Sequence, residues 1–373
     1  MKNIFWSLPT ALLVACSTPT VHNAAELTDG NPSTSYSVSG HKLEVLLDGF
    51  SQPMKSYKVY SSGEKPACDP QSWVLYGSKD GKNWVALDRK AEVKYCSRYQ
   101  EQFGEISNSD AYTSYKFEIE GGCCAEKLAI GEISFFEENT EPQWRDFAYP
   151  KVDFQIQTPE TQGEKIYRDL VQDPQAYVRY HTRKVAEILF YTAADTMNTV
   201  GQIDYFLKEY DGVSAKSGNP AQTQIVYSTK HIERSAQESM YKLDYETRGV
   251  LYHELVHAYQ FEPKGIGTYG TNKEFWACIE GLADAVRAHA GLFDFKTMRK
   301  AGGHWMDGYK TTGFFIEWLT TKDPDAIRKF HLTVRDMEKW SFEAAIQQVC
   351  NRPIQEVWDE YQSFLKTEAA PSI

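Results

Sequence analysis

The feature that most restricts this chain is the proline-free run from Thr247 to Gln260, which contains His253-Glu254-Leu255-Val256-His257. Val250, Leu251, Leu255 and Ala258 recur there at near-helical spacing, which predicts a helix. Residues four apart on a helix stand one turn over the other, with about 5–6 Å between Cβ atoms. His253 and His257 therefore share a face, and two neutral imidazoles so placed can bind one Zn2+. Glu254 is rotated about 100° from His253 and can reach a metal-bound water without being a ligand. Five-residue patterns of this kind also arise by chance, and two packed or solvent-facing histidines would give the same spacing. The rest of the chain has to decide between these readings.

A catalytic zinc needs a third protein ligand and an open position for water. Phe275 to Asp284 reads as a second helix, on which Glu280 and Asp284 share a face. The arrangement resembles the gluzincins, which include thermolysin-like peptidases and M1-type aminopeptidases. That resemblance implies Glu280 as the third zinc ligand and Asp284, one turn later, as the acid that hydrogen-bonds a ligand histidine. An outer carboxylate of this kind fixes the imidazole tautomer and raises its basicity. A surface carboxylate pair, or acids favoured near a helix start, would leave the same pattern. A metzincin would have Gly and His where Gln260 and Pro263 stand, which excludes that class. Gly281-Leu282-Ala283-Asp284 also fits the acid of an aspzincin, so Asp284 stays open as an alternative third ligand.

Several motifs accompany this pair in a fixed order: Asp211-Gly212-Val213, Ser217-Gly218-Asn219, Gly249 through Gln260, Ile279 through Arg287, and Trp305-Met306-Asp307-Gly308-Tyr309. Together they resemble the basic secretory protein family of plant and bacterial peptidases over most of residues 150–365. The resemblance implies a zincin-like catalytic domain of α+β class over 151–373. It also implies a protein or peptide substrate, whose bond a zinc-activated water would attack with Glu254 as general base. Tyr309 is the candidate oxyanion donor, because gluzincins often supply a tyrosine from a later helix. Its alternative is a core aromatic packed on Trp305 and Phe314. Gln224 to Ser228 is strand-like and is expected to be the sheet edge along which an extended peptide aligns. His289 and His304 are not expected to be ligands. The chain departs from the family's name in being acidic, with a formal charge of −11.

Upstream, residues 24–138 read as all-β. Leu43–Leu47, Ser56–Tyr60, Trp73–Gly77 and Ser114–Ile119 are short strand-like runs, and Asp80-Gly81 is a hairpin-turn signal. Leu27 through Ser35, Trp73 through Trp84 and Ala129 through Ile133 resemble the discoidin, or factor 5/8 type C, family of jelly-roll sandwiches. Such domains commonly bind glycans at loop ends and often hold a structural Ca2+. The resemblance implies Asp29, Thr34 and Glu132 as candidate Ca2+ ligands, all offering the oxygen that this hard cation prefers. Asp29 and Thr34 would equally shape a turn. Residues 139–150, polar at first and containing Pro142, read as a linker. Helical spacing returns over 175–198 and from Pro353 to Leu365.

The first 16 residues read as an export signal: Lys2, an apolar stretch from Ile4 to Val14, then Leu13-Val14-Ala15-Cys16, which resembles a bacterial lipobox. Cys16 is the expected lipidation site, and Ser17 after it favours an outer-membrane or cell-surface lipoprotein anchored to the membrane through its acyl chains. The six remaining cysteines suggest disulfides in an exported chain. The negative charge argues against a nucleic-acid partner. The rival to a zinc peptidase is a surface lipoprotein that binds glycans and has lost catalysis.

Overall fold

The structure is a computed structural model that describes residues 18–107, 110–122, 126–195 and 200–368. The signal segment, Cys16 and the Cys123-Cys124 pair lie outside the described residues. The chain divides into two compact units, the first within 1–94 and 101–138 and the second within 95–100 and 139–373.

The first unit contains β1 (Thr20–His22), β2 (Tyr36–Ser39), β3 (Lys42–Asp48), β4 (Ser56–Ser61), β5 (Pro70–Ser78), β6 (Trp84–Lys90), β7 (Glu101–Glu105), β8 (Ser114–Gly121) and β9 (Lys127–Phe136). They form two sheets, ordered β1-β3-β8-β5-β6 and β2-β9-β4-β7. Alternation decides which face is inside: Leu43, Val45 and Leu47 of β3 are buried, and the residues between them are not. They meet Trp73 and Leu75 of β5, Phe117 of β8, Tyr57 and Val59 of β4, and Ile130 and Ile133 of β9 in one core. Both sheets contribute to that core, so the unit is the expected jelly-roll sandwich. The Asp80-Gly81 turn joins β5 to β6, and Asp80 Oδ1 accepts the backbone N–H groups of Lys82 and Asn83 at 2.9 and 2.8 Å.

The second unit mixes helices with one sheet. In chain order it contains α1 (Glu141–Trp144), β10 (Lys151–Ile156), α2 (Gln162–Leu170), α3 (Pro174–Leu189), β11 (Gln202–Lys208), β12 (Ser214–Asn219), β13 (Gln222–Ser228), α4 (Thr229–Ser235), α5 (Met240–Tyr259), α6 (Lys273–His289), α7 (Phe295–Met298), α8 (Tyr309–Trp318), α9 (Ala326–Asp336), α10 (Phe342–Cys350) and α11 (Ile354–Glu368). The sheet order is β10-β11-β13-β12, with β12 antiparallel to β13 and the other pairs parallel. Gln224–Ser228 therefore lies inside the sheet, flanked by β11 and β12, and the expectation of an edge strand there is wrong. The edges are β10 and β12, and β12 carries a lysine, serines and a glycine that look more like a loop than a strand.

Residues 139–150, read as a linker, carry α1, and Trp144 and Phe147 are buried in the second unit's core. Helix α3 ends at Leu189, short of the expected 198. The backbone N–H groups of Tyr191 and Thr192 turn instead to the Asp195 carboxylate at 2.6 and 2.9 Å. Cys278 and Cys350 are free thiols. Among the described residues no helix is long and apolar enough to cross a membrane.

Candidate metal centre and its cleft

Helix α5 begins where the Ser239 side chain accepts the Lys242 N–H, and α6 where the Asn272 side chain accepts the Phe275 N–H. Both helices are buried along most of their length, and they pack on each other. That crossing brings the two predicted motifs together. His253 Nε2 and His257 Nε2 are 3.1 Å apart, and Glu280 Oε2 lies 3.2 Å from the first and 3.7 Å from the second. His253, His257 and Glu280 form the one group of three or more such side chains, among the described residues, whose ligand atoms lie close enough to hold a metal, all within 4.8 Å of one another. His289 and His304 are not part of it.

The far sides of both rings are also held. Asp284 Oδ1 is 2.8 Å from His253 Nδ1, and the Gln260 amide is 2.7 Å from His257 Nδ1. With the Gln260 amide turned so that its oxygen accepts, each Nδ1–H is donated outward and each Nε2 lone pair points at Glu280. Two imidazole lone pairs and a carboxylate, all aimed at one point, are a donor set that Zn2+ takes. The residues present fit that ion.

Charges in the cluster are strongly coupled. Burial works against a proton on His253, but Asp284 and Glu280 outweigh it and raise its pKa to about 10. Burial and the charge on His253 push His257 down to about 3. A proton on His253 is thus what a cation at this point would displace from the Nε2 side. Burial raises the Glu254 carboxyl above its ordinary value, against the pull of His253 and of the Ser214 hydroxyl. Ser214 Oγ donates to Glu254 Oε1 at 2.5 Å and fixes that carboxylate beside the cluster. Ser214 comes from the edge strand β12.

Two tyrosines face the same group. Tyr269, in the segment between α5 and α6, donates its hydroxyl to Glu280 Oε1 at 2.7 Å. Tyr309 opens α8, with its ring 6.0 Å from His253 and nearly parallel to it, and edge-on to Trp276. It is 48% exposed, and among the described residues its ring contacts are with His253 and Trp276 rather than with Trp305 or Phe314, the alternative considered for it. Its φ of 40° is left-handed, which is uncommon for a residue other than Gly, Asn or Asp. Gly308 before it has φ 70°, and a Cβ there would stand 2.4 Å from the Trp276 ring. Only glycine lets the chain enter α8 at this point.

The cluster lies in a cleft with two recesses that share Ser214, His253, Glu254 and Tyr309. One, of about 460 Å3, is lined further by Lys216, Gln260, Glu262, Tyr269, Phe275 and Ile279. The other, of about 540 Å3, is lined by Val213, Val250, Asp284, Arg287, Phe293, Asp307 and Lys310.

The family model described as "Peptidase of plants and bacteria" (BSP) matches residues 149–361, more than half of the chain. The chain belongs to this family. The BSP match spans β10 to α11 and every residue of the cluster and cleft just described.

No curated protein matches. Solved structures similar to the N-terminal part are carbohydrate-binding modules and related domains. CpGH89CBM32-6 from Clostridium perfringens is 18% identical, covering 31% of this chain and 85% of its own, with a TM-score of 0.25. CpGH89CBM32-5 from the same organism, solved in complex with GalNAc-β-1,3-galactose, is 16% identical over 29% of this chain and 78% of its own, with a TM-score of 0.25. An F5/8 type C domain from Bacteroides fragilis is 14% identical over 31% and 80%, with a TM-score of 0.26.

In the first unit, Glu132 is 3% exposed, and its Oε2 is buried without a hydrogen-bond partner. Burial, with Asp29 nearby, raises its pKa to about 7. Asp29 Oδ1 accepts the Asn31 N–H at 2.8 Å, and Thr34 Oγ1 donates to the Asn31 carbonyl at 2.7 Å. The loop thus carries Asp29 and Thr34 with Glu132 beneath. An orphaned carboxylate oxygen there fits an oxygen-seeking cation.

Sequence reading singled out His253, Glu254, His257, Glu280, Asp284 and Tyr309, and the fold brings all six into one cleft. It missed Ser214, Tyr269 and the role of Gln260. Gln260 caps the end of α5 directly after Tyr259, three residues after His257, a spacing from which its contact was readable. Ser214 and Tyr269 reach the site through strand and loop placement that no local pattern encodes.

Proposed function

We propose that the chain is a zinc metallopeptidase. The observation that carries the reading is the convergence of two imidazole nitrogens and the Glu280 carboxylate within 4.8 Å, beside the Glu254 carboxylate and open to a cleft. A zinc ion held by His253, His257 and Glu280 would supply Lewis acidity, acidifying water and polarising a peptide carbonyl. Glu254, held by Ser214 and made more basic by burial, takes the proton of the attacking water and delivers it to the leaving amine. Asp284 and Gln260 keep His253 and His257 in the tautomers that leave Nε2 free. Tyr309, exposed over His253, offers its hydroxyl to the oxyanion.

The two recesses that meet at Glu254 leave room for peptide beyond the bond being cut, so end-blocked peptides are expected substrates. Strand β12 presents a sheet edge on which an extended chain can pair. The jelly-roll unit is read as a glycan-binding accessory domain with a structural Ca2+ at Asp29, Thr34 and Glu132. Lipidation at Cys16 would tether both units to an outer membrane or cell surface.

The test is metal content and casein hydrolysis of wild type and Glu254→Gln. One zinc per chain in both, with chelator-sensitive hydrolysis only in wild type, is the expected result. Absence of zinc, or equal hydrolysis by Glu254→Gln, overturns the reading. Glycan-array binding by the full-length Glu254→Gln protein tests the accessory role, and an array without any retained sugar counts against it.

A further inference from the structure

Of the three cations among the described residues that line the cleft, none of which the proposed chemistry uses, Lys216 is the half-buried one that makes no ion pair. Lys216 lies on β12 two residues from Ser214, and side chains two apart on a strand share a face. Ser214 uses that face to reach Glu254, so Lys216 faces the same cleft, about 6–7 Å further along the strand. Its side chain is partly buried, and burial lowers its pKa against the opposing pull of Glu262 and Glu254. Among the described residues it makes no ion pair and no side-chain hydrogen bond. The other cleft cations differ. Arg287 is 3.1 Å from the Glu246 carboxylate, and exposed Lys310 lies over the Phe293 ring. Glu262 and Glu254 act on this half-buried ammonium only from a distance, and a carboxylate brought into contact with it would relieve its burial.

We infer that Lys216 is a specificity-determining residue that selects peptides placing a carboxylate in its recess, from an Asp or Glu side chain or from a C-terminal carboxylate. The inference rests on the peptidase reading, which makes the cleft a peptide site. An extended peptide on β12 repeats every two residues on one face, as the strand does. A substrate residue opposite Lys216 therefore lies about one such repeat from the residue opposite Ser214 and Glu254. The selected carboxylate is thus close to the scissile bond without touching it. Lys216 acts here by binding, and Glu254 by proton transfer.

The experiment scans Asp, with Asn as its uncharged isostere, through each position of an end-blocked and otherwise uncharged quenched peptide. A parallel set carries a free C-terminus. For the zinc-loaded wild type, the Asp/Asn ratio of kcat/KM is expected to reach on the order of 10-fold or more at one position. Lys216→Met should bring that ratio to about one, and Lys216→Glu should invert it in favour of a Lys-scanned peptide. A gain confined to peptides with a free C-terminus identifies the carboxylate as the terminal one. A ratio that Lys216→Met leaves unchanged overturns the inference. So does an equal loss on Asp and Asn peptides, the behaviour of a lysine that only tunes Glu254. The same peptides are titrated by fluorescence anisotropy against Glu254→Gln with and without Lys216→Met. Acid-selective binding that depends on Lys216, without turnover by wild type, would keep Lys216 and reject the hydrolase. Binding without acid selectivity would reject Lys216 whatever the turnover.

Discussion

Asp284 Oδ1 sits 2.8 Å from His253 Nδ1, on the side of the ring opposite the Nε2 that faces His257 and Glu280. The carboxylate that sequence left open as a third ligand thus reaches the back of the His253 ring, and Glu280 occupies the front. Loss of an outer hydrogen bond of this kind weakens metal binding by about 10- to 100-fold. Asp284→Asn should keep one zinc per chain but lower its affinity by that factor, measured by competition with a chromogenic chelator. Glu280→Ala should lose stoichiometric zinc. The reverse pattern would make Asp284 the ligand.

Tyr269 and Tyr309 both face Glu280 and should separate by what each change disturbs. Tyr269 donates directly to Glu280 Oε1 and orients the carboxylate. Tyr269→Phe is therefore expected to weaken zinc affinity, with turnover restored at saturating metal. Tyr309 lies over His253 and is the proposed oxyanion donor. Removing such a donor costs about 10²–10³ in kcat. Tyr309→Phe should show that loss at full zinc occupancy with little change in KM. Equal behaviour of the two variants would leave Tyr309 without its role.

Helices α5 and α6 were legible because their chemistry is periodic: His253 with His257 and Glu280 with Asp284 each stand four apart, and helical geometry does the rest. The sandwich was legible for the same reason at period two, as in Leu43, Val45 and Leu47. What was not legible depends on which strand lies at the edge. Gln224–Ser228 is apolar enough to look like the important strand, and its burial between β11 and β12 explains that composition. The edge beside it, Ser214–Asn219, is polar because one side of it is open, and no strand was expected there. Ser214 and Lys216 were missed with it. Tyr269 was missed because its contact with Glu280 depends on the path of the segment between α5 and α6.

The approach of α8 to α6 is set by absent side chains. A Cβ on Gly313 would stand 2.7 Å from Asp284 Cβ and 2.9 Å from the Ala285 backbone nitrogen. Neither atom is the end of a flexible side chain, so the helices must separate. Gly313→Ala should lower stability by about 1–3 kcal/mol, the usual cost of overpacking. Because the displaced contact is Asp284 itself, zinc affinity should fall as well. Urea unfolding and the chelator titration check the two effects, and an unchanged midpoint would show that α8 does not set this spacing.

His331 is wholly buried, with Nε2 accepting the Phe261 N–H at 3.1 Å and Nδ1 3.2 Å from the Leu189 carbonyl. That pairing requires the neutral ring, and burial lowers its pKa to about 4. A histidine depressed on folding contributes stability that is present above its unfolded pKa of 6.5 and is lost as pH falls toward 4. The shift corresponds to at most roughly 3 kcal/mol. Metal-free protein should therefore lose stability between about pH 6.5 and 4, and His331→Gln should flatten that slope while destabilising at neutral pH. Urea midpoints across this range decide, and an equal slope in both proteins would place the acid sensitivity elsewhere.

Glu132 offers the last test, because a buried carboxylate oxygen without a partner is a standing cost. If Ca2+ fills that position with Asp29 and Thr34, binding to the folded state alone stabilises it by RT ln(1 + [Ca2+]/Kd), about 2.7 kcal/mol at 100 times Kd. Adding Ca2+ to zinc-loaded Glu254→Gln protein, which avoids self-digestion, should raise a thermal transition in proportion to the logarithm of its concentration. Mg2+ should do so far less, because it demands a tighter octahedral shell and gives up water reluctantly. Glu132→Gln removes the charge that attracts the ion and also the need for it, so that variant should start more stable without Ca2+ and respond to none. A wild-type transition that ignores Ca2+ would mean that Glu132 is instead protonated and simply buried.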